Sequence, residues 1–158
     1  MNMMHMIGKT PIHPLLFYSG KISGYIVWVL LLIALVSTHD ISNMTTQRWV
    51  AVIILCIGLI FSIVSLINLG KSTRLGVPTE DTVLKTGGLY QISRNPMYLG
   101  FNLLSLSGIV FIDNIVVFIM GIYSMVVYHL IIVGEEKFLE SRFSEQYLKY
   151  KKRVRRYL

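Results

Sequence analysis

Four apolar stretches without charged residues alternate with polar segments along this chain of 158 residues. Each stretch is about 17 to 22 residues long, close to the roughly 20 apolar residues that a helix needs to span a bilayer. The first stretch is the least regular, because glycine and serine dilute its ends and only Tyr25 to Val36 is densely apolar. We predict four membrane-spanning helices, at about residues 22–38, 49–70, 96–112 and 115–134.

The composition agrees with a bilayer as the solvent of this chain. Hydrophobic residues make up 54% of the sequence, and the mean hydropathy is +0.62, which is too apolar for an ordinary soluble domain. The length suits one small domain. We predict an all-α integral membrane protein with a single membrane domain over residues 1–158, a C-terminal helical hairpin and an amphipathic C-terminal helix. Met1 to Pro14 lacks the pattern of a removable signal peptide, so we expect the first span to serve as its own anchor.

Lysine and arginine are distributed unevenly among the segments that connect the spans. They precede the first span, occupy the loop of residues 71–95 and are most frequent in the tail of residues 135–158. Only Asp113 and Asn114 separate the third span from the fourth, and neither is positively charged. By the positive-inside rule, both termini and the loop face the cytoplasm. We therefore expect a protein of the cell (inner) membrane whose active site is cytoplasmic.

Two polar motifs are predicted to meet at that membrane surface. The segment from Arg94 to Gly100 opens the third span, and the adjacent carboxylates Glu135 and Glu136 follow the fourth. A tight turn at Asp113-Asn114 makes the two spans a hairpin, so both motifs lie at its open end. Taken singly, each motif is more commonly a set of span-end charges that seek water.

The loop of residues 71–95 and the tail of residues 135–158 are the segments predicted to build the site. The loop is long for a connector and rich in turn-forming residues, which favours a functional role, although a flexible surface loop would look similar. The tail has the pattern of an amphipathic helix whose basic end suits anionic lipid headgroups. Nucleic acid is a poor partner despite the net charge of +7, because the basic residues lie where membrane topology requires them.

The two motifs have opposite electrostatic preferences. Pro96 suits the first turn of a helix, and the free N–H groups of that turn, together with Arg94, favour a carboxylate or a phosphate. Glu135 and Glu136 can hold an ammonium group or, by raising one another's pKa, provide a base. A ligand with both a carboxylate and an ammonium group satisfies both motifs, and S-adenosylmethionine has that form. Any other zwitterion, or a phosphate ester with a cation, would also satisfy them.

The sequence gives little support to a metal site. His129 and Glu136 lie on one helix face, but a second histidine at ligand spacing is missing, and Cys56 is the single cysteine. We therefore predict no metal. His129 is more commonly a hydrogen-bonded packing residue at such a position, although it could line the route of the substrate.

Several motifs follow one another in the C-terminal half of the chain. They are Gly88-Leu89-Tyr90, the octapeptide SRNPMYLG from Ser93 to Gly100, the Glu135-Glu136 pair, and the tail segment from Phe143 to Val154. This order resembles the isoprenylcysteine carboxyl methyltransferase and phospholipid N-methyltransferase group, with its pattern G-x-Y, R-H-P-x-Y-x-G, a hydrophobic hairpin, E-E and F-G-x-x-Y-x-x-Y. The resemblance covers roughly residues 87–154.

The resemblance implies an integral membrane enzyme that moves a methyl group from S-adenosylmethionine to a lipophilic acceptor at the cytoplasmic face. The acceptor would be a prenylcysteine-like carboxylate, a phospholipid amine or a similar compound, and membrane lipids are the other expected partners. The implied catalytic residues are Glu135, Glu136 and Arg94, and we expect the acceptor to contact Tyr128, His129 and Arg153. The implied cofactor-binding residues are Tyr90, Arg94, Asn95, Pro96, Met97, Tyr98, Gly100, Glu135 and Glu136.

Two positions depart from the pattern. Asn95 replaces the usual histidine, so no histidine base can be assigned there, and Ser144 replaces the tail glycine. Two other functions stay open: an NADPH-dependent membrane reductase of the steroid-reductase type, and a membrane adaptor without enzymatic activity. The sequence does not distinguish O-, N- or S-methylation, and the oligomeric state stays open.

Overall fold

The computed structural model describes residues 10–38, 42, 44–70 and 83–158. Within these ranges the chain is helical and forms no strand, apart from a single bridge between Ser93 and Arg155. A short 3₁₀ turn, Gly88–Gln91, precedes the third helix. The all-α prediction is confirmed by four helices: α1 (Pro14–Val36), α2 (Thr46–Leu69), α3 (Pro96–Ile112) and α4 (Ile115–Arg153).

Three of these helices, α1, α2 and α4, are long and apolar enough to cross a membrane. The third, α3, is also apolar but has 17 residues. Large hydrophobic side chains are exposed along α1, α2 and α4, as expected of helices whose outer faces meet lipid tails. The chain is therefore a membrane protein, and the crossing by α3 stays a prediction.

The helix bounds agree with the predicted spans in the middle of the chain and differ at its ends. The helix α3 has the bounds predicted for the third span, whereas α1 begins at Pro14 rather than near residue 22. Proline suits the first turn of a helix, and the polar residues that follow do not interrupt it. The helix α4 continues beyond residue 134, where the fourth span is predicted to end, as far as Arg153, with a break at Ser144 (φ 43°, ψ −115°).

The hairpin between α3 and α4 is closed by local chemistry. Asp113 ends α3 in the left-handed conformation with φ 51°. The side chain of Asn114 then accepts hydrogen bonds from the N–H groups of Val116 at 2.9 Å and Val117 at 3.4 Å, which caps α4. This turn places the beginning of α3 and the end of the predicted fourth span at the same end of the bundle.

Glycines allow the helices to approach closely, and two of these contacts lie near the site. A Cβ added to Gly20 of α1 would lie 2.3 Å from the side chain of Val127 in α4. One added to Gly100 of α3 would lie 2.3 Å from Ser62 Oγ in α2. Small residues at helix contacts are a common means of association in membranes, where van der Waals packing has to replace the hydrophobic effect. The first contact brings the inner face of α1 against the face of α4 that ends at Glu135.

Candidate active site

The segment before α3 is held by the C-terminal residues that follow α4. The N–H of Arg94 donates to the carbonyl of Arg155 at 2.9 Å, and Ser93 Oγ donates to the carbonyl of Arg156 at 3.2 Å. We call residues 154–158 the C-terminal strap, because they return from the end of α4 to this segment. The strap is thus hydrogen-bonded across the open end of the hairpin.

Glu136 is the centre of the ionic contacts at this end of the hairpin. Both Nε and Nη2 of Arg94 donate to Glu136 Oε1, at 3.1 and 2.9 Å. From the strap, Nε and Nη2 of Arg156 donate to Oε2, at 3.0 and 2.9 Å. Asn95 Nδ2 donates to Oε1 at 3.1 Å and also lies 3.3 Å from the carbonyl oxygen of Arg156. The side chain of Glu136 is therefore saturated by donors of the protein itself.

These contacts keep Glu136 ionised. Burial would raise the pKa of its carboxyl, but the hydrogen bonds from Arg156 and Arg94 and their positive charges outweigh burial, so the pKa lies below its ordinary value. The remaining guanidinium nitrogen of Arg94, Nη1, donates to the carbonyl of Val154 at 2.6 Å. The predicted convergence of the two motifs is thus present, but Arg94 and Glu136 are directed at each other.

Glu135 has a different environment from its neighbour. It is partly exposed, and its one hydrogen bond within the described part of the chain comes from the hydroxyl of Tyr98, at 2.8 Å from Oε1. Its apolar surroundings raise the pKa of the carboxyl to about 7, although the Tyr98 hydrogen bond and the charge of Lys21 act in the opposite direction. Glu135 can therefore gain or lose a proton near neutral pH, which is the property required of a general base.

An aromatic cluster lies on the membrane side of Glu135. The ring of Tyr98 is 5.8 Å from that of Tyr128 and 6.0 Å from that of Phe101, measured between centroids. The Phe101 ring is 5.2 Å from that of Trp28 in α1. Three helices therefore contribute to one aromatic layer under the carboxylate, and Tyr128, predicted to contact the acceptor, belongs to it.

The other predicted acceptor contacts lie elsewhere. The Nδ1 atom of His129 is 2.7 Å from the hydroxyl of Tyr157, and the two rings are stacked. His129 therefore contacts the strap on the exposed side of α4, and Arg153 is exposed at the end of that helix. Both residues are exposed, whereas Tyr128 is buried in the core.

The remaining predicted cofactor residues are mostly packed. Pro96 is buried as the first residue of α3, Met97 packs against the core cluster around Tyr128, and Gly100 lies in the contact between α2 and α3. Tyr90 is buried too, and its carbonyl accepts a hydrogen bond from the Tyr150 hydroxyl. Burial raises the pKa of Tyr90 to about 12, so its phenol stays protonated.

The structure adds two charged residues to the site that the sequence did not predict there, Lys21 and Arg156. Lys21 was counted only as a charge before the first span, and Arg156 only as part of a basic tail. For Lys21 a signal was present, since it lies between Gly20 and Gly24, the small residues through which α1 approaches α4.

A comparison with protein families agrees with this geometry. The family model for phospholipid methyltransferases matches residues 46–146. The chain belongs to the phospholipid methyltransferase family. The matched range contains α2, α3 and the glutamate pair, but neither Lys21 nor the strap. No curated protein matches the chain.

Membership in the phospholipid methyltransferase family settles the general class of the protein. It is a methyltransferase with three helices that are long and apolar enough to cross a membrane. The methyltransferase resemblance found in the sequence is thereby confirmed.

Proposed function

We propose that this methyltransferase uses S-adenosylmethionine to methylate the amine of a membrane lipid at the cytoplasmic membrane surface. One observation carries the proposal: Glu135 has no ion pair among the described residues, has a pKa of about 7, and is joined through the Tyr98 hydroxyl to the aromatic layer. An amine acceptor must lose a proton before or during methyl transfer, and such a carboxylate suits that task.

The residues at the site fit S-adenosylmethionine. Glu135 can accept hydrogen bonds from the ammonium group of the cofactor, and aromatic faces such as that of Tyr98 attract positively charged groups, including a sulfonium. The amide nitrogen of Asn68 is buried and has no hydrogen-bond partner among the residues that the structure describes, and a Cβ added to Gly88 would lie 2.4 Å from it. This unused donor at the 3₁₀ turn can serve an acceptor atom of a cofactor bound next to the turn.

The residues of the chain would act as follows. When bound, the cofactor supplies an electrophilic methyl group. Glu135 receives the proton that the amine of the acceptor releases, and the Tyr98 hydroxyl orients the carboxylate through Oε1. Glu136, held by Arg94 and Arg156, fixes the segment that leads into α3. The aromatic layer keeps water from the reacting groups, so positioning and desolvation supply much of the rate.

A carboxylate acceptor is the second candidate substrate. It would need no base, and Glu135 would then act only on the ammonium group of the cofactor. A titratable carboxylate at the open end of the hairpin, next to the aromatic layer, favours the amine. Product analysis distinguishes the two acceptors.

The test uses the full chain in lipid nanodiscs. S-adenosylhomocysteine is expected to bind, as measured by calorimetry, whereas NADPH is not. Incubation with S-adenosylmethionine carrying a labelled methyl group is expected to label a lipid amine in an added membrane lipid extract. Binding of NADPH in place of S-adenosylhomocysteine would overturn the proposal.

Variants of single glutamates sharpen this test. Glu135→Gln is expected to lower the rate of transfer to an amine about 10²- to 10⁴-fold, the range for loss of a general base. Glu140→Gln is the matched control, because Glu140 pairs with Lys151 at the exposed surface of α4. Equal rates of the two variants would exclude Glu135 as the base.

The cytoplasmic location of the site is part of the same proposal. It is supported by the cluster of positive charges in the tail, including the exposed Lys152 and Arg155. In a Cys56→Ser background, a cysteine introduced in place of Lys152 is expected to resist a membrane-impermeant maleimide in intact cells and to react after lysis. Labelling of intact cells would reverse the orientation.

A further inference from the structure

Lys21 lies on the inner face of α1, although α1 is an apolar, membrane-length helix. It shares that face with Phe17, one turn before it, and with Gly24, one turn after it, both of which are buried. A lysine within an apolar helix is costly unless its charge has a partner or a function. The side chain of Lys21 is only partly buried, so part of it is accessible from outside the protein.

The charge of Lys21 has no ionic partner among the residues that the structure describes. Its Nζ lies 4.0 Å from the centroid of the Phe17 ring. It interacts electrostatically with Glu135 but forms no ion pair with it. Other charged groups near the open end of the bundle differ, since the pairs of Glu136 with Arg94 and Arg156 both have N–O distances of 2.9 Å.

The site therefore contains one saturated ionic cluster and two opposite charges that remain available. Arg94 was the cation expected to receive an anion, but its guanidinium is directed at Glu136 and at the carbonyl of Val154. Lys21 and Glu135 come from different helices, α1 and α4, and border the same aromatic layer through Phe17 and Tyr98.

We propose that Lys21 is the anion-binding residue of the site and receives a carboxylate or phosphate from a ligand whose amine meets Glu135. This assignment rests on the proposed function, because it takes its ligand from that reaction. It lies outside the region matched by the family model, which begins at residue 46. An anion joined to an amine by a short carbon linker is the chemistry that this pair of charges recognises.

Two ligands of the reaction have that chemistry. One is the amino-acid end of the cofactor, with a carboxylate and an ammonium group. The other is a phosphoethanolamine lipid headgroup, with a phosphate and an amine. The anion is the shared feature, and binding measurements with each ligand in the absence of the other separate the two sources.

The experiment compares Lys21→Met with Lys21→Arg and with a matched control, Lys137→Met. Methionine keeps the length and apolar stem of lysine, so it suits an apolar helix, whereas arginine keeps the charge. Lys137 is exposed two residues beyond Glu135 and has no ion pair among the described residues.

Calorimetry with S-adenosylhomocysteine in phosphatidylcholine nanodiscs tests the first source. A phosphatidylethanolamine titration of the KM for methyl transfer tests the second.

We expect Lys21→Met to weaken one of these two interactions about tenfold or more, the usual scale for loss of a charged hydrogen bond to an anion. Lys21→Arg is expected to recover most of the loss, and Lys137→Met to stay within about twofold of the wild type. A loss confined to S-adenosylhomocysteine assigns Lys21 to the cofactor, and a loss confined to the lipid KM assigns it to the acceptor.

The measurements distinguish a wrong assignment of Lys21 from a wrong proposed function. If the wild type binds S-adenosylhomocysteine and labels lipid while Lys21→Met changes neither measurement, the assignment of Lys21 is overturned and the function stands. A similar effect of Lys137→Met would also overturn it, because the effect would then follow from net charge alone. If the wild type neither binds nor labels, the proposed function fails. Thermal unfolding of each variant confirms that the compared proteins are folded.

Discussion

The hydroxyl of Tyr98 donates a hydrogen bond of 2.8 Å to Glu135 Oε1, joining the first turn of α3 to the middle of α4. This bond stabilises the ionised carboxylate, while the apolar surroundings of Glu135 favour its protonated form. The resulting pKa of about 7 is thus a balance between two structural effects. The same residue pair joins the two motifs that the sequence places far apart.

Tyr98→Phe is expected to shift that balance toward the protonated form of Glu135. Loss of the hydrogen bond raises the pKa of Glu135, so the rise of methyl-transfer activity with pH moves to higher pH, by roughly half a unit to one unit. A pH-rate profile of the variant measures the change. Tyr123→Phe is the control, because the Tyr123 hydroxyl bonds Ser19 at 2.7 Å on the exposed side of the bundle. An unchanged profile for Tyr98→Phe would contradict the prediction.

The raised pKa of Glu135 also predicts how stability depends on pH. Between about pH 4.5 and 7 the carboxyl is ionised in the unfolded chain but protonated in the folded one. The folded state therefore binds more protons, and this group makes the protein less stable as the pH rises through that window. Glu135→Gln is expected to remove this dependence, which unfolding curves measured at several pH values detect. If the stability of the variant depended on pH in the same way as that of the wild type, the raised pKa of Glu135 would be refuted.

Arg156→Ala tests how much the strap contributes to the stability of the fold. It removes two hydrogen bonds to Glu136, a buried carboxylate, and we expect a loss of about 2 kcal/mol in the free energy of unfolding. Because Glu136 has a lowered pKa, its stabilising effect is present above the unfolded pKa and is lost as the pH falls. Acid unfolding of the variant should therefore begin at a higher pH than that of the wild type.

The control for the strap variant is Lys151→Ala. Lys151 also forms an ion pair at 2.9 Å, with Glu140, but both side chains are substantially exposed, and such pairs contribute less than about 1 kcal/mol. Hydrogen exchange adds a local measurement. The Arg94 amide, which donates to the Arg155 carbonyl, should exchange faster in Arg156→Ala and not in Lys151→Ala. Equal losses of stability in the two variants would show that the strap has no special role.

The sequence predicted the elements that depend on local signals. The apolar run after Pro96 and the Asp113-Asn114 turn gave the bounds of α3, because a proline, a left-handed residue and an asparagine cap mark helix ends by their own chemistry. The division of roles between Glu135 and Glu136 was not predictable. Adjacent residues on a helix point in different directions, and which of them meets Arg156 depends on how the strap returns to the bundle.

The break in α4 was also missed, although a signal was present at Ser144. That position holds glycine in the pattern that the sequence resembles, and the structure shows φ of 43° there, a conformation in which a Cβ is strained. Ser144→Gly is therefore expected to stabilise the protein by about 1 kcal/mol. Ser141→Gly, within a regular part of the same helix, should destabilise it by about 0.5 kcal/mol. Unfolding measurements that gave both changes the same sign would contradict the strain at Ser144.

Asn95 occupies the position at which the family pattern has histidine. The hydrogen bonds of its amide show which contacts a side chain at this position makes. Its Nδ2 donates to Glu136 Oε1 and to the carbonyl of Arg156, so it links the segment before α3 to both the glutamate and the strap. A neutral imidazole has one N–H group and can replace one of these two bonds. An aspartate has the size of asparagine but no donor when ionised, and it would place a second negative charge beside Glu136.

We therefore expect Asn95→His to lower the free energy of unfolding by less than about 1 kcal/mol, and Asn95→Asp to lower it by about 2 to 3 kcal/mol. S-adenosylhomocysteine binding should follow the same order. The loss in Asn95→Asp should become smaller in the double variant with Glu136→Gln, because the like charges are then no longer opposed. If Asn95→His were as damaging as Asn95→Asp, the position would require the amide itself, and donation of a hydrogen bond to Glu136 would not explain the preference for these two residues.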